Sequence, residues 1–317
     1  MNFCKKAAVK YYMPKKKSII LIAIMLAVCI AVPIMAVFRS KSASADDDNG
    51  QMTCLTLWQI DGFEGGKGSR AQYLTRIGER CFKNENIYVS VTALSADMAR
   101  ENMKQGNIPD MISYPSGFYG LENNVDYGNF VNATWCNGVY CLLTMDENAD
   151  FSDATAQNTI VNEGKDNLID VAVALSGFNG ARFDQPTNAY LNLISGKFKY
   201  LFGTQRDVFR LKTRGVAFKV KPITQFNDLY QNIAITAENS IKITKCHRFL
   251  DYLIANNDVN TLGLFSNGTH ERTDGLEELA QLSFETSLNS LCSESYLNEL
   301  KACAKNGEIN KIKNLLK

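Results

Sequence analysis

The chain has 317 residues, 34 Lys and Arg against 33 Asp and Glu, and a formal net charge of +1. Six of the lysines fall in the first 17 residues (Lys5, Lys6, Lys10, Lys15, Lys16, Lys17), and what remains is mildly acidic. No lysine or arginine cluster tracks a run of aromatics, so the composition speaks against a nucleic-acid partner.

An uncharged, mostly apolar run from Ser18 to Phe38 follows the lysines. Positive charge ahead of an apolar span keeps the amino terminus inside and sends the rest of the chain across the membrane. Residues 1–45 therefore read as a signal peptide or membrane anchor, and the body as exported. Ala43-Ser44-Ala45 fits a small-x-small cleavage site, and Pro33 would break a helix ahead of it. The apolar run also approaches the ~20 residues that span a bilayer. Two outcomes stand: release after cleavage near Ala45, or anchoring by residues 18–38 at the outer face of the cytoplasmic membrane. Roughly 270 residues remain, enough for one large or two small α/β domains.

In chain order, Asp46 to Met52 is a polar linker and Leu55 to Ile60 a strand. Arg70 to Phe82 reads as a helix, Tyr88 to Leu94 as a strand, Ala96 to Gln105 as a helix and Met111 to Tyr114 as a short strand. Strand alternating with helix predicts a parallel sheet. Periodicity is lost from Phe118 to Asn132, and Thr134 to Met145 reads as an extended segment crossing between lobes. Beyond it the pattern predicts a strand over Ile169 to Leu175, a helix over Asn188 to Ser195 and a strand over Phe198 to Phe202. Gln225 to Ala237 carries the chain back, with a second crossing at Gln231 to Ala237. The amphipathic run Ile241 to Ala255 places Cys246, Phe249, Leu250, Leu253 and Ile254 on one face. Leu276 to Leu291 and Ser295 to Cys303 read as terminal helices packed across the first lobe and hinge.

The body holds seven cysteines (Cys54, Cys81, Cys136, Cys141, Cys246, Cys292, Cys303), an odd number whose spacings give no disulfide framework. They read as small buried hydrophobes. Cys136 and Cys141, taken as lying on one strand, point to opposite faces. His247 and His270 are the only histidines and there is no Cys-x-x-Cys, so the sequence offers no metal site and no cofactor motif. No nucleophile motif accompanies either histidine, so no catalytic residue is assigned and the chain reads as a non-enzyme.

The stretch Leu55-Thr-Leu-Trp-Gln-Ile-Asp-Gly-Phe-Glu-Gly-Gly-Lys-Gly-Ser-Arg70 runs from a strand through a polar glycine-rich turn into a helix. Pro109-Asp-Met-Ile-Ser113 repeats the logic, so two loops emerge at the carboxyl edge of one sheet, where open α/β folds bind ligands. Together with Tyr88-Val-Ser-Val91, Trp135-Cys-Asn-Gly-Val-Tyr140, Ala189 to Lys197, Leu201 to Val208 and Ile233 to Ser240, these segments resemble extracellular solute-binding proteins of ABC importers. The likeness is to the sugar-binding group typified by maltose-binding protein, and it covers about Thr53 to Phe265.

That resemblance implies an α/β, two-lobed periplasmic-binding-protein-like fold with hinge crossings, preceded by an N-terminal membrane-targeting helix. Lobe 1 would comprise residues 53–133 plus 238–317, and lobe 2 residues 134–237. It implies a small-molecule solute, with sugar preferred, a permease in the cytoplasmic membrane as partner, and a monomer. A sugar needs planar polar groups for its hydroxyls and an aromatic face for its ring. Carried onto this sequence, the resemblance points to Asp61, Glu64 and Lys67 in the first loop, Tyr114 and Ser116 in the second, and Trp135 and Asn137 on the crossing. It adds Asn179, Arg182, Gln205 and Arg206 at strand ends of the second lobe, and Tyr230 near the return passage. Asp110, after a proline, reads as a backbone cap, and Trp58 as core. The rival is a membrane-anchored binding or assembly protein with no transport role.

Overall fold

The computed structural model describes residues 52–317 except 64, 66, 122–131, 165–166, 267–278 and 280–281, and only the backbone of Asn132. The leader, Glu64 and His270 lie outside the described residues. Residues 52–317 form one compact unit built on two five-stranded sheets.

The first sheet has strand order β2-β1-β3-β11-β4, from β1 (Thr53–Ile60), β2 (Ile87–Leu94), β3 (Met111–Pro115), β4 (Asn132–Asn137) and β11 (Tyr230–Ile235). Strands β1, β2 and β3 are parallel, and β11 runs antiparallel to both β3 and β4. The second sheet has order β7-β6-β8-β5-β9, from β5 (Tyr140–Thr144), β6 (Thr159–Asn162), β7 (Arg182–Asp184), β8 (Tyr200–Thr204) and β9 (Lys219–Pro222). Its pattern repeats the first: β7, β6 and β8 are parallel, and β5 is antiparallel to β8 and β9.

Helices cover both faces of the sheets, as parallel strands joined by crossovers require. Helix α1 (Arg70–Glu85) packs on β2, and α2 (Ala96–Lys104) on β1. In the second sheet α4 (Pro186–Ile194) packs on β6 to β8, and α5 (Gln205–Thr213) on β5 and β8. Successive side chains of a strand enter different cores, with Tyr140, Leu142, Val161 and Phe202 on one face of the second sheet and Cys141, Leu143, Ile160 and Leu201 on the other. Helix α6 (Ser240–Ala255) returns to the first sheet against β1, β4 and β11, burying Cys246, Phe249, Leu250 and Leu253. Ile254, expected on that face, is exposed. Asp110 caps the turn before β3: its carboxylate accepts from the Thr56 amide at 2.8 Å and hydroxyl at 3.0 Å, and pairs with Lys242 of α6 at 2.8 Å.

Several expectations are corrected. Ile169–Leu175 is a helix, α3, not a strand. It is buried on nearly every side beneath α7 (Glu294–Asn306) and α8 (Ile309–Leu315), and an all-round apolar helix of seven residues carries the same pattern as a buried strand. The terminal helices thus pack on α3, and the described residues 282–291 hold the short strand β12 (Thr286–Ser287), paired with β10 (Phe226–Asn227), instead of a helix. The chain leaves the first sheet at Gly138 and Val139 and returns through 223–229, so the expected second crossing, Gln231 to Ala237, falls largely on strand β11 (Tyr230–Ile235) of the first sheet. Cys136 and Cys141 consequently sit on strands of different sheets. Among the described cysteines only Cys54 is exposed.

Candidate functional site

The glycine-rich loop after β1 lies at the carboxyl edge of the first sheet and forms one wall of a pocket of about 350 Å³. Asp61, Gly62, Phe63, Gly65, Lys67, Gly68, Ser69 and Arg70 line that wall, Arg206 faces them from α5 of the second sheet, and Leu262 and Leu264 close the side. Two glycines are needed for the loop to fold. A Cβ on Gly62 would lie 2.2 Å from Cβ of Pro115, and Gly68 adopts φ +61°.

Arg70, 5% exposed, is the buried centre of the wall. Its Nη1 donates to Asp61 at 3.3 Å, its Nη2 to the Phe63 carbonyl at 2.8 Å, and its guanidinium lies 4.3 Å from the Phe63 ring centroid. Its Nε is buried without a hydrogen-bond partner. Asp61 stays at the mouth with its side chain 55% exposed and also accepts from Gln59 at 3.0 Å. Beneath Arg70, burial pushes the Cys136 thiol up to about 12 despite the nearby guanidinium, so it is no nucleophile at neutral pH. Ser69 caps α1, whose first turn contains no acidic residue, so the positive end of a 16-residue helix opens at the pocket wall. Lys67 crosses the cleft: its amide donates to the Leu262 carbonyl at 2.7 Å, and its Nζ sits 4.8 Å from the ring centroid of Phe209 on α5.

Arg206 is the second residue of α5, and burial lowers its pKa. The adjacent Asp207 is turned inward, not into a surface ion pair. It accepts from the Thr204 amide at 3.2 Å and from Asn162 at 2.8 Å and 3.1 Å, completing a capping box.

Of the expected site residues that the structure describes, the pocket brings together Asp61, Lys67 and Arg206; the other described ones lie elsewhere. Tyr114 and Trp135 are fully buried. Trp135 stacks on Tyr73 with centroids 5.7 Å apart and donates its indole N–H to Ser113 at 3.0 Å, so neither face is open to a solute. Ser116 bonds the Tyr230 carbonyl through its amide at 3.0 Å, and both stand at the β3–β11 end beside Asn289. Asn137 pairs with Phe265 through the backbone where the chain leaves the sheet. Gln205 is buried and accepts from the Val139 amide at 2.9 Å, pinning α5 to the crossing, and it packs so close to Gly138 that a Cβ there would sit 2.7 Å from its Oε1. Asn179 and Arg182 are exposed at the amino end of β7, the edge opposite Arg206; they looked like carboxyl-edge residues because α3 read as a strand. Arg182 pairs loosely with Asp184 at 3.7 Å. Sequence reasoning missed Arg70, Ser69, Phe63, Leu262 and Leu264. Ser69-Arg70 carried a signal, a cap followed by the helix that leaves the ligand loop.

No protein-family model matches the sequence, nor does any curated protein. Solved structures do match in shape. An iron- and citrate-bound IdiA (FutA) of Trichodesmium aligns at TM-score 0.54 and 11% identity, covering 82% of this chain and 99% of that one. The spermidine/putrescine ABC transporter substrate-binding protein PotD of Streptococcus pneumoniae aligns at 0.51 and 9%, covering 84% and 100%. The fold is that of a periplasmic-type substrate-binding protein. A structure from work on xylan utilization by Caldanaerobius polysaccharolyticus aligns at 0.50 and 12%, covering 83% and 99%. In this substrate-binding-protein fold the pocket lies between the two sheets' carboxyl edges, walled by the β1–α1 loop on one side and the start of α5 on the other. Among the described residues no group of three or more His, Cys, Asp and Glu could hold a metal, and no helix is long and apolar enough to cross a membrane.

Proposed function

We propose that this chain is the solute-binding component of an ABC importer, exported and held at or released from the outer face of the membrane, and that it captures a small solute between two lobes by hinge closure. The observation that carries the reading is the pocket, whose walls come from both sheets: Arg206 stands on one and Asp61, Lys67 and Arg70 on the other. A ligand that touches both walls only when they meet shifts the population toward the closed form. Its volume lies in the lower part of the range of about 300–1,000 Å³ usual for small-molecule sites. The solute-binding proteins among the structural neighbours support the class of function but not one solute.

Carbohydrate, the solute implied by the resemblance, needs a bare aromatic face. Trp135 and Tyr114 are in the core, and Phe63, the one aromatic lining the pocket among the described residues, carries Arg70 over its ring. Charge and hydrogen bonding are what the wall offers.

A thermal-shift screen of the full chain against small solutes tests the function, combined with small-angle scattering. A solute present at 100 times its dissociation constant should stabilise by about 2.7 kcal/mol and narrow the particle. If no solute stabilises or narrows it, the chain is not a transporter's binding component and the anchored assembly reading takes its place.

A further inference from the structure

Resting on the solute-binding reading, we propose that the captured solute is a small anion, carrying a carboxylate or an inorganic oxyanion group, held between Lys67 and Arg206 over the start of α1.

Three observations converge. The first is the charge of the wall: among the described residues lining the pocket, Lys67, Arg70 and Arg206 are cationic and Asp61 alone is anionic. Asp61 already accepts from Arg70 and Gln59, so its charge is directed at holding the buried guanidinium and not at the cavity. The second is Arg70 itself, more than nine-tenths buried, lining the pocket and retaining an unpartnered Nε. Its one charged partner is the Asp61 carboxylate at 3.3 Å, the rest of its surroundings being the neutral Phe63 carbonyl and ring and the Cys136 thiol, so an anion in the adjacent cavity would add to its compensation. The third is the orientation of α1. Ser69 and Arg70 line the pocket, so the positive end of α1 lies at it; the Ser69 hydroxyl accepts from the Gln72 amide, and the first turn has no acidic side chain of its own. A neutral sugar gains little from this field, and a polyamine would be repelled by it.

The Lys67 contact with Phe209 adds a reason for closure. The ammonium is held at the boundary between the lobes, so an anion can be met from both sides only when the cleft is shut.

The test is titration calorimetry on the full chain in a buffer of low ionic strength, with sulfate, inorganic phosphate, succinate and citrate as anions, and xylose, maltose and spermidine as controls. At least one anion should bind, with an affinity that falls as sodium chloride is raised. Lys67→Gln and Arg206→Gln should each weaken it about tenfold. Both residues lie at the pocket rim outside the main core, and circular dichroism checks their folding. Binding of an anion that is indifferent to salt and to both substitutions overturns the assignment. So does failure of all four anions. In that event a sugar or spermidine that binds and narrows the particle leaves the solute-binding reading standing with a different solute, whereas closure by none of the compounds removes that reading as well.

Discussion

Lys67 and Phe209 meet across the cleft, the ammonium 4.8 Å from the ring centroid, so a loop of the first sheet and a helix of the second touch through one cation–π pair. Pairs of this kind contribute about 0.5–1 kcal/mol at partly exposed sites. Phe209→Leu keeps an apolar side chain of similar bulk but removes the π face. Solute affinity should fall roughly two- to fivefold, and because Phe209 is buried the solute-free chain should lose about 1 kcal/mol of stability, measured by calorimetry and by melting.

Trp135→Ala separates a core role from a ligand role. The indole is fully buried, stacked on Tyr73 and bonded to Ser113. Its truncation should cost on the order of 3–5 kcal/mol of stability, read by denaturant titration. A variant of unchanged stability with lost solute binding would return Trp135 to the cleft.

Asp228 lies on the return passage between the sheets, buried, accepting from the Tyr140 hydroxyl at 2.7 Å and the Leu168 amide at 2.8 Å. Burial outweighs those bonds and pushes its pKa up from 3.8 to about 6. Between these values the folded chain holds a proton that the unfolded chain has released, so stability falls as pH rises through about 6. The loss is on the order of 2–3 kcal/mol. Asp228→Asn should flatten that part of the profile and leave the variant the more stable of the two at pH 8, as followed by urea unfolding across pH.

Gly62→Ala should be felt at the pocket before it is felt in the core. The added methyl would meet the Pro115 ring at 2.2 Å, and the loop must move to relieve it. A cost of about 1–3 kcal/mol is expected, with weaker solute binding; heat denaturation and calorimetry report the two effects separately.

The first half of the fold was readable because its signals are local. Ser69 and Ser95 cap α1 and α2, the strands between them are short and β-branched, and the loop at Asp61 follows directly from strand–turn–helix order. What failed was non-local. The burial of Ile169–Leu175 by α7 and α8, elements more than a hundred residues later, made a helix look like a strand, and that shifted Asn179 and Arg182 to the wrong edge of the sheet. Trp135 misled for a related reason. An aromatic on a crossing next to a ligand loop is equally suited to stack on a sugar or on Tyr73, and which it does depends on where α1 lies. Arg70 was overlooked because a helix-opening arginine reads as surface until its burial against Phe63 is seen.

The strand order also sets a timetable. Strands β5 to β9 all come from residues 140–222, so the second sheet is encoded in one uninterrupted segment. The first sheet is not: β3 finds its antiparallel partner only in β11, with Ser113 opposite Ile233. At ordinary synthesis rates β3 waits on the order of 10 s for that partner, its apolar edge open. The middle segment that encodes the second sheet is therefore the one that can reach its native form first, and the ligand loop, though made earlier, acquires a rigid foundation last.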